Sequence, residues 1–197
     1  MIPDKLDRLL RELERFGAEN DAQATGRSYK MLNITRETGE FLLLLIRATK
    51  VARVLEIGTS NGYSTLWLAL AVQPLNGRVT TLEKSAYKDG LARANFARSE
   101  MQPWIKNELV DAGEFLKQQP RDAFDFVFLD SERGEYVGWW PHIQRVLVPG
   151  GLLVIDNAVS HAHELEEISA LIRSTPAYLT SLVPVGKGEL VVLKESQ

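Results

Sequence analysis

The sequence predicts a doubly wound α/β sandwich, a mainly parallel sheet covered by helices on both faces. Three observations carry that expectation. From Arg53 onward, short apolar runs alternate with stretches of helical periodicity, the pattern of right-handed βαβ units. The first apolar run empties into a tight turn bounded by Gly58 and Gly62, as a strand feeding a helix does. The chain closes on two β-rich segments with no helix between them, which reads as a hairpin adding an antiparallel edge.

Composition agrees. At 197 residues, 45% hydrophobic and 25% charged, the chain can bury one full core and is short for two. No Gly/Ser or Pro tract and no repeat divides it, so residues 1–197 read as one domain. A net charge of −3 gives no electrostatic footprint for a nucleic-acid backbone. The absence of cysteine excludes a disulfide scaffold, a thiolate metal site and a Cys nucleophile. The opening MIPDKLDRLL lacks a signal-peptide core, and apolar runs such as Phe41–Ile46 stop far short of the roughly 20 residues that span a bilayer. A cytoplasmic protein is the expectation.

Leu6, Leu9, Leu10, Leu13 and Phe16 recur at helical spacing, and Gly17 marks the expected stop. Asn20 to Lys30 is polar and reads as a loop. Thr35 caps a second helix through Lys50, with Glu37 near its positive end. Arg53–Ile57 is a buried strand. Tyr63–Val72 is a helix with Leu66, Ala69 and Leu70 on one face, and Arg78–Glu83 a second strand. Ala86–Met101 reads as a helix with Leu91, Ala94 and Ala97 inward, Ile105–Val110 as a weaker strand, and Gly113–Gln118 as a short helix. Phe124–Leu129, nearly all apolar, is the central strand. Glu135–Val148 is helix, Gly151–Ile155 strand and His161–Ser174 helix. Tyr178–Val183 and Glu189–Leu193 form the closing hairpin around Pro184–Gly188.

In such a sheet a ligand lies beyond the carboxyl ends of the strands, where the strand order reverses, and that is where chemistry-bearing residues collect. Gly58 and Gly62 make G-x-x-x-G rather than G-x-G-x-x-G. The pattern lacks the close-approach glycine that a pyrophosphate needs, but leaves room for a nucleoside without phosphate. Alone, the two glycines would serve any tight turn. Glu83 ends the second strand, 25 residues after Gly58, where a carboxylate can accept from ribose hydroxyls; a solvated strand-end charge is the plainer alternative. Asp130 ends the central strand, and Asp156-Asn157 ends the next. Two carboxylates and an amide carbonyl at one sheet edge are hard oxygen ligands, suited to Mg²⁺, Mn²⁺ or Ca²⁺. Without a cation the carboxylates would repel and one would tend to hold a proton. Alternatively, Asp130 caps a loop and Asp156-Asn157 makes a turn.

These residues, in this order, resemble the class I S-adenosylmethionine-dependent O-methyltransferases, and more closely their divalent-metal branch containing the catechol and caffeoyl-CoA enzymes. The matching segments are Val54–Leu66, Thr81–Glu83, Phe124–Asp130 and Gly150–Asn157, with Ile34–Phe41 similar to the family's entry segment. The resemblance runs from about Met31 to Lys194. It implies a Rossmann-like methyltransferase fold, a seven-stranded sheet whose last strand is antiparallel. It implies S-adenosylmethionine as cofactor, held at its methionine end by the turn carrying Glu56, Gly58, Ser60, Gly62 and Ser64, at its ribose by Glu83, and at its adenine by Asp111 and Ala112. Asp130, Asp156 and Asn157 would bind the cation, with Asp130 also near the cofactor's amino group. The acceptor would be a small aromatic with adjacent hydroxyls.

One departure stands out. Where related metal-dependent enzymes commonly carry a lysine three residues after the first metal aspartate, this chain has Arg133. Arginine stays protonated and is no general base, so its expected catalytic role beside Asp130 is to steady an acceptor anion. His161 and His163 either line the acceptor pocket or lie on the surface. Tyr136, Trp139 and Trp140 suit core packing or a subunit interface, and with the resemblance they imply a homodimer. Two other readings remain beside this one: a methyltransferase that uses no metal and takes another acceptor, and a non-catalytic module that binds S-adenosylmethionine.

Overall fold

A computed structural model describes residues 2–196. Seven strands form one sheet in the order β3-β2-β1-β4-β5-β7-β6. They are β1 Arg53–Ile57, β2 Arg78–Glu83, β3 Ile105–Leu109, β4 Phe124–Leu129, β5 Leu147–Ile155, β6 Tyr178–Val183 and β7 Glu189–Lys194. The first five pair in parallel, while β7 runs antiparallel to both β5 and β6. The closing hairpin therefore inserts its second strand next to β5 and leaves β6 at the edge.

The helices are α1 Asp4–Gln23, α2 Arg36–Thr49, α3 Tyr63–Val72, α4 Ala86–Ser99, α5 Ala112–Gln118, α6 Tyr136–Val146 and α7 Glu166–Ser174. The period-2 alternation of the strands divides the core between the two faces. Val54, Phe126, Phe128 and Val154 pack with Leu10, Leu42, Ile46, Leu66 and Phe96 from α1 to α4. Leu55, Val127, Leu129 and Ile155 pack with Leu116, Trp140, Ile143 and Ile172 from α5 to α7.

Several expectations need correction. α1 runs past Gly17 to Gln23. A Cβ at Gly17 would meet the Asn33 amide at 2.6 Å, so this glycine serves close approach rather than a helix stop. All ten residues of α3 are buried, because α2 and α4 cover the sides that the sheet does not. On α4 the inward residues are Asp89, Ala92, Asn95, Phe96 and Ser99, because the Phe96 ring takes the core position. Glu135–Val148 shortens to α6 after a 3-10 turn over Arg133–Glu135. The stretch 156–165 is turn, and α7 starts only at Glu166. Tyr136, Trp139 and Trp140 lie inside the chain's own core, so they supply no exposed aromatic face and the homodimer expectation loses that support. Among the described residues, no helix is long and apolar enough to cross a membrane.

Thr35 caps α2 as expected, its hydroxyl accepting from Thr38 N at 3.2 Å. Gly58 closes β1 with φ +109°, and a Cβ there would stand 2.0 Å from the Asp130 carbonyl oxygen. Backbone strain and overpacking then act together, so Gly58→Ala should destabilise by roughly 3 kcal/mol. For a chain of this length that is a drop of roughly 10 °C in melting temperature, readable by calorimetry. A drop under about 2 °C would mean that the β1 and β4 ends tolerate separation.

Candidate cofactor and cation site

The carboxyl ends of β1, β2, β4 and β5 open onto one cavity of about 530 Å³. It sits where the strand order reverses, between β1 and β4. One wall is the turn after β1. Gly58, Ser60 and Ser64 line it, while Gly62 does not. Gly62 has φ +86°, and a Cβ there would lie 2.5 Å from the Phe96 ring, so this glycine admits α4.

Glu56 also stands off the cavity. It is fully buried and accepts from Ser64 Oγ and Thr81 Oγ1, each at 2.6 Å, and from Thr65 Oγ1. It reaches the cavity wall through Ser64, whose hydroxyl it engages, and through Thr81, whose hydroxyl meets that of Thr59. Burial pushes the Glu56 carboxyl up to about 7, against the pull of its three hydroxyl donors. A folded-state value raised from 4.5 means that the proton stabilises the fold below pH 4.5, and this contribution is lost as pH rises to about 7. Glu56→Gln carries no such proton. Relative to the parent, its stability should rise by up to roughly 3 kcal/mol between about pH 5 and pH 8, read from urea midpoints. A pH-independent difference would show that Glu56 titrates normally.

Glu83 ends β2 on the cavity wall. Its carboxylate accepts from the backbone amides of Ser60 at 2.9 Å, Lys84 at 3.0 Å and Ser85 at 2.8 Å. A carboxylate has about four acceptor positions, so roughly one remains for a ligand hydroxyl. Asp111 and Ala112 border the same cavity beyond Glu83. Asp111 also caps α5 through Glu114 N at 3.0 Å.

The opposite wall comes from β4 and β5. Asp130 and Asn157 line the cavity, and Asp156 lies buried behind them. The Asn157 amide nitrogen donates to Asp156 Oδ2 at 2.7 Å and to Asp130 Oδ1 at 3.3 Å, so the three side chains predicted as cation ligands meet at one point. Burial first, and then repulsion from Asp156, drive the Asp130 carboxyl well above the carboxylate range; Arg133 and Lys187 pull it back. Glu189, buried on β7, is driven up by burial and by Asp156. Among the described residues no three Asp, Glu, His or Cys side chains form a metal-ligand group. The donor set is therefore two carboxylates and one carboxamide. It fits a hard dication: the acids repel, and a half-turn of the Asn157 amide presents its oxygen to the same point.

Arg133 lines the cavity, nearly buried, with Nη1 donating to Glu164 Oε2 at 3.1 Å. The histidines divide: His161 lines the cavity, whereas the His163 side chain is 98% exposed. Sequence reasoning missed Lys187 and Met31, both on the cavity, and gave Trp139 no place there. Met31 is tied to the glycine turn by Ser60 Oγ, which donates to its carbonyl at 2.7 Å. For Lys187 the available signal was its position between Gly186 and Gly188, a tight turn at the ligand edge of the sheet.

A catechol O-methyltransferase from Niastella koreensis is 30% identical over 141 residues, covering 70% of this chain and 63% of that protein. One from Mycobacterium tuberculosis is 34% identical over 126 residues, covering 64% and 57%. The chain thus matches less than two thirds of the length of either. An O-methyltransferase from Bacillus cereus, solved in complex with SAH, superposes with a TM-score of 0.82 at 25% identity, covering 99% of this chain and 93% of that one. The family model described as O-methyltransferase matches residues 4–179, which hold β1 to β5 and the cavity lining apart from Lys187, and the chain belongs to that family.

Proposed function

We propose that residues 1–197 act as one cytoplasmic domain that transfers a methyl group from S-adenosylmethionine to a small aromatic acceptor with adjacent hydroxyls, with the help of a divalent cation. The observation that carries this reading is the convergence of Asp130, Asp156 and Asn157 on the wall facing Gly58 and Glu83. When bound, S-adenosylmethionine would supply a sulfonium methyl, and a dication would supply a Lewis acid that lowers the pKa of a phenol from about 10.

The chain's own residues do the rest. Glu83, pinned by three amides, offers its remaining acceptor position to a ribose hydroxyl. The Gly58 turn admits the methionine end, and Asp111 with Ala112 flanks the base. Asp130, at the junction of the two walls, accepts from the cofactor's amino group and fixes the donor beside the acceptor. Arg133 cannot take a proton; held by Glu164, it adds positive potential where an acceptor oxygen becomes anionic. No side chain forms a covalent bond.

A second reading, methyl transfer without a metal to another acceptor, is favoured by the Asn157 amide nitrogen, which already bridges the two carboxylates. Transfer of labelled methyl from S-adenosylmethionine to catechol separates the readings. Loss with EDTA and recovery with Mg²⁺ is the expected result. EDTA-insensitive transfer selects the second reading, and cofactor binding without transfer to any phenol overturns the first.

A further inference from the structure

The tip of the β6–β7 hairpin places a cation, Lys187, on the β4–β5 side of the cavity without a salt-bridge partner among the described residues. Lys187 stands between Gly186 at φ +56° and Gly188 at φ +91°. A Cβ at Gly186 would meet Thr38 Oγ1 at 2.2 Å, and one at Gly188 would meet Val159 at 2.3 Å, so the turn is wedged between α2 and the loop after β5. Val159 N and Ser160 N donate to the Lys187 carbonyl at 3.1 and 3.0 Å, and Ala158 N donates to Gly188 O at 2.7 Å. The backbone that presents Lys187 is thus tied to the segment that starts with Asn157.

Lys187 lines the cavity half-buried. Among the described residues the ammonium enters no salt bridge within 4.0 Å. Arg133 has its counter-charge in Glu164, and the Asp130–Asp156 pair has one in the dication of the proposed function. Of the two cavity-lining cations that follow β4, Arg133 and Lys187, only Lys187 is left over. In the sheet order it lies beyond Asp130 and Asn157, away from Glu83 and Asp111, so its counter-charge belongs to the acceptor rather than to the nucleoside.

We infer that Lys187 receives an acidic group of the methyl acceptor, so that the site selects hydroxylated aromatic acids over neutral catechols. The inference rests on the proposed function for the word acceptor, but its anion specificity is measurable without turnover. A hydrogen-bonded ion pair in a part-buried site is among the stronger polar contacts, and its orientation would bring one chosen hydroxyl to the cation site.

Calorimetric titration of catechol and of 2,3- and 3,4-dihydroxybenzoate tests it, using protein saturated with S-adenosylhomocysteine, with Mg²⁺ and again with EDTA. At least one acid should bind about tenfold more tightly than catechol. Lys187→Met should erase that margin, and Lys187→Arg should restore most of it. An equal affinity for acid and catechol, no binding of either acid, or a margin that survives in Lys187→Met overturns the inference. Methyl transfer from S-adenosylmethionine, followed in parallel, keeps the two claims apart. Transfer to catechol and acid alike, unaffected by Lys187→Met, sinks the inference and leaves the proposed function standing. A Lys187-dependent margin in binding with no transfer to any phenol sinks the proposed function and leaves the anion site standing.

Discussion

Asp156→Asn is expected to reduce methyl transfer to catechol at least about a hundredfold while moving S-adenosylmethionine affinity by no more than about twofold. The substitution keeps size and shape and removes one negative charge from a buried group that faces Asp130 and Glu189. Relief of that repulsion should keep the fold intact, so the loss would fall on the proposed cation. Glu83, Gly58 and Asp111, on the other wall, are untouched. Labelled-methyl transfer and calorimetry on one preparation read both quantities. Turnover within about threefold of the parent would remove Asp156 from the cation site.

Glu83→Ala should do the reverse and act on the cofactor. A charge-assisted hydrogen bond to a ribose hydroxyl is lost, and the amides of Ser60, Lys84 and Ser85 lose their common acceptor. The turn after β1 then loosens where the ligand enters. One such bond corresponds to about 1.5–3 kcal/mol, so S-adenosylmethionine should bind roughly a hundredfold more weakly. Glu83→Gln retains an oxygen for the amides but not the charge, and should fall between the two. Circular dichroism melts separate lost binding from lost fold. Unchanged affinity in a folded Glu83→Ala protein would place the nucleoside elsewhere.

The parts of the architecture that local pattern dictates were readable in advance. β1, β2 and β4 were delimited by apolar runs ending in Gly58, Glu83 and Asp130, because a buried parallel strand must be apolar on both faces and its carboxyl end is where polar residues return. The parallel arrangement then placed Asp130 and Asn157 together without any side-chain information. What failed needed tertiary knowledge. Gly17 looks like a stop until Asn33 is seen crowding it. The inward face of α4 is set by the Phe96 ring, which fits only because Gly62 has no side chain. The histidines were ambiguous because 156–165 is held as turn by backbone contacts to Lys187 and Gly188, which lie some 30 residues away. The Gly186–Gly188 turn marks Lys187 as a loop residue, but its place on the cavity follows from the insertion of β7 between β5 and β6, which the turn alone does not encode. Glu56 was placed among the cofactor contacts by motif alone, and its three hydroxyl partners converge only in the folded sheet.

The proposed chemistry depends most on the point where Asp130, Asp156 and Asn157 meet. Crystals grown with S-adenosylhomocysteine and soaked in manganese chloride, measured for anomalous scattering, address that point. The expected result is a single strong peak roughly 2.0–2.4 Å from oxygens of all three side chains, with the Asn157 amide turned to present its carbonyl. A map without such a peak, with the amide nitrogen still bridging the two carboxylates, would contradict the cation-dependent mechanism.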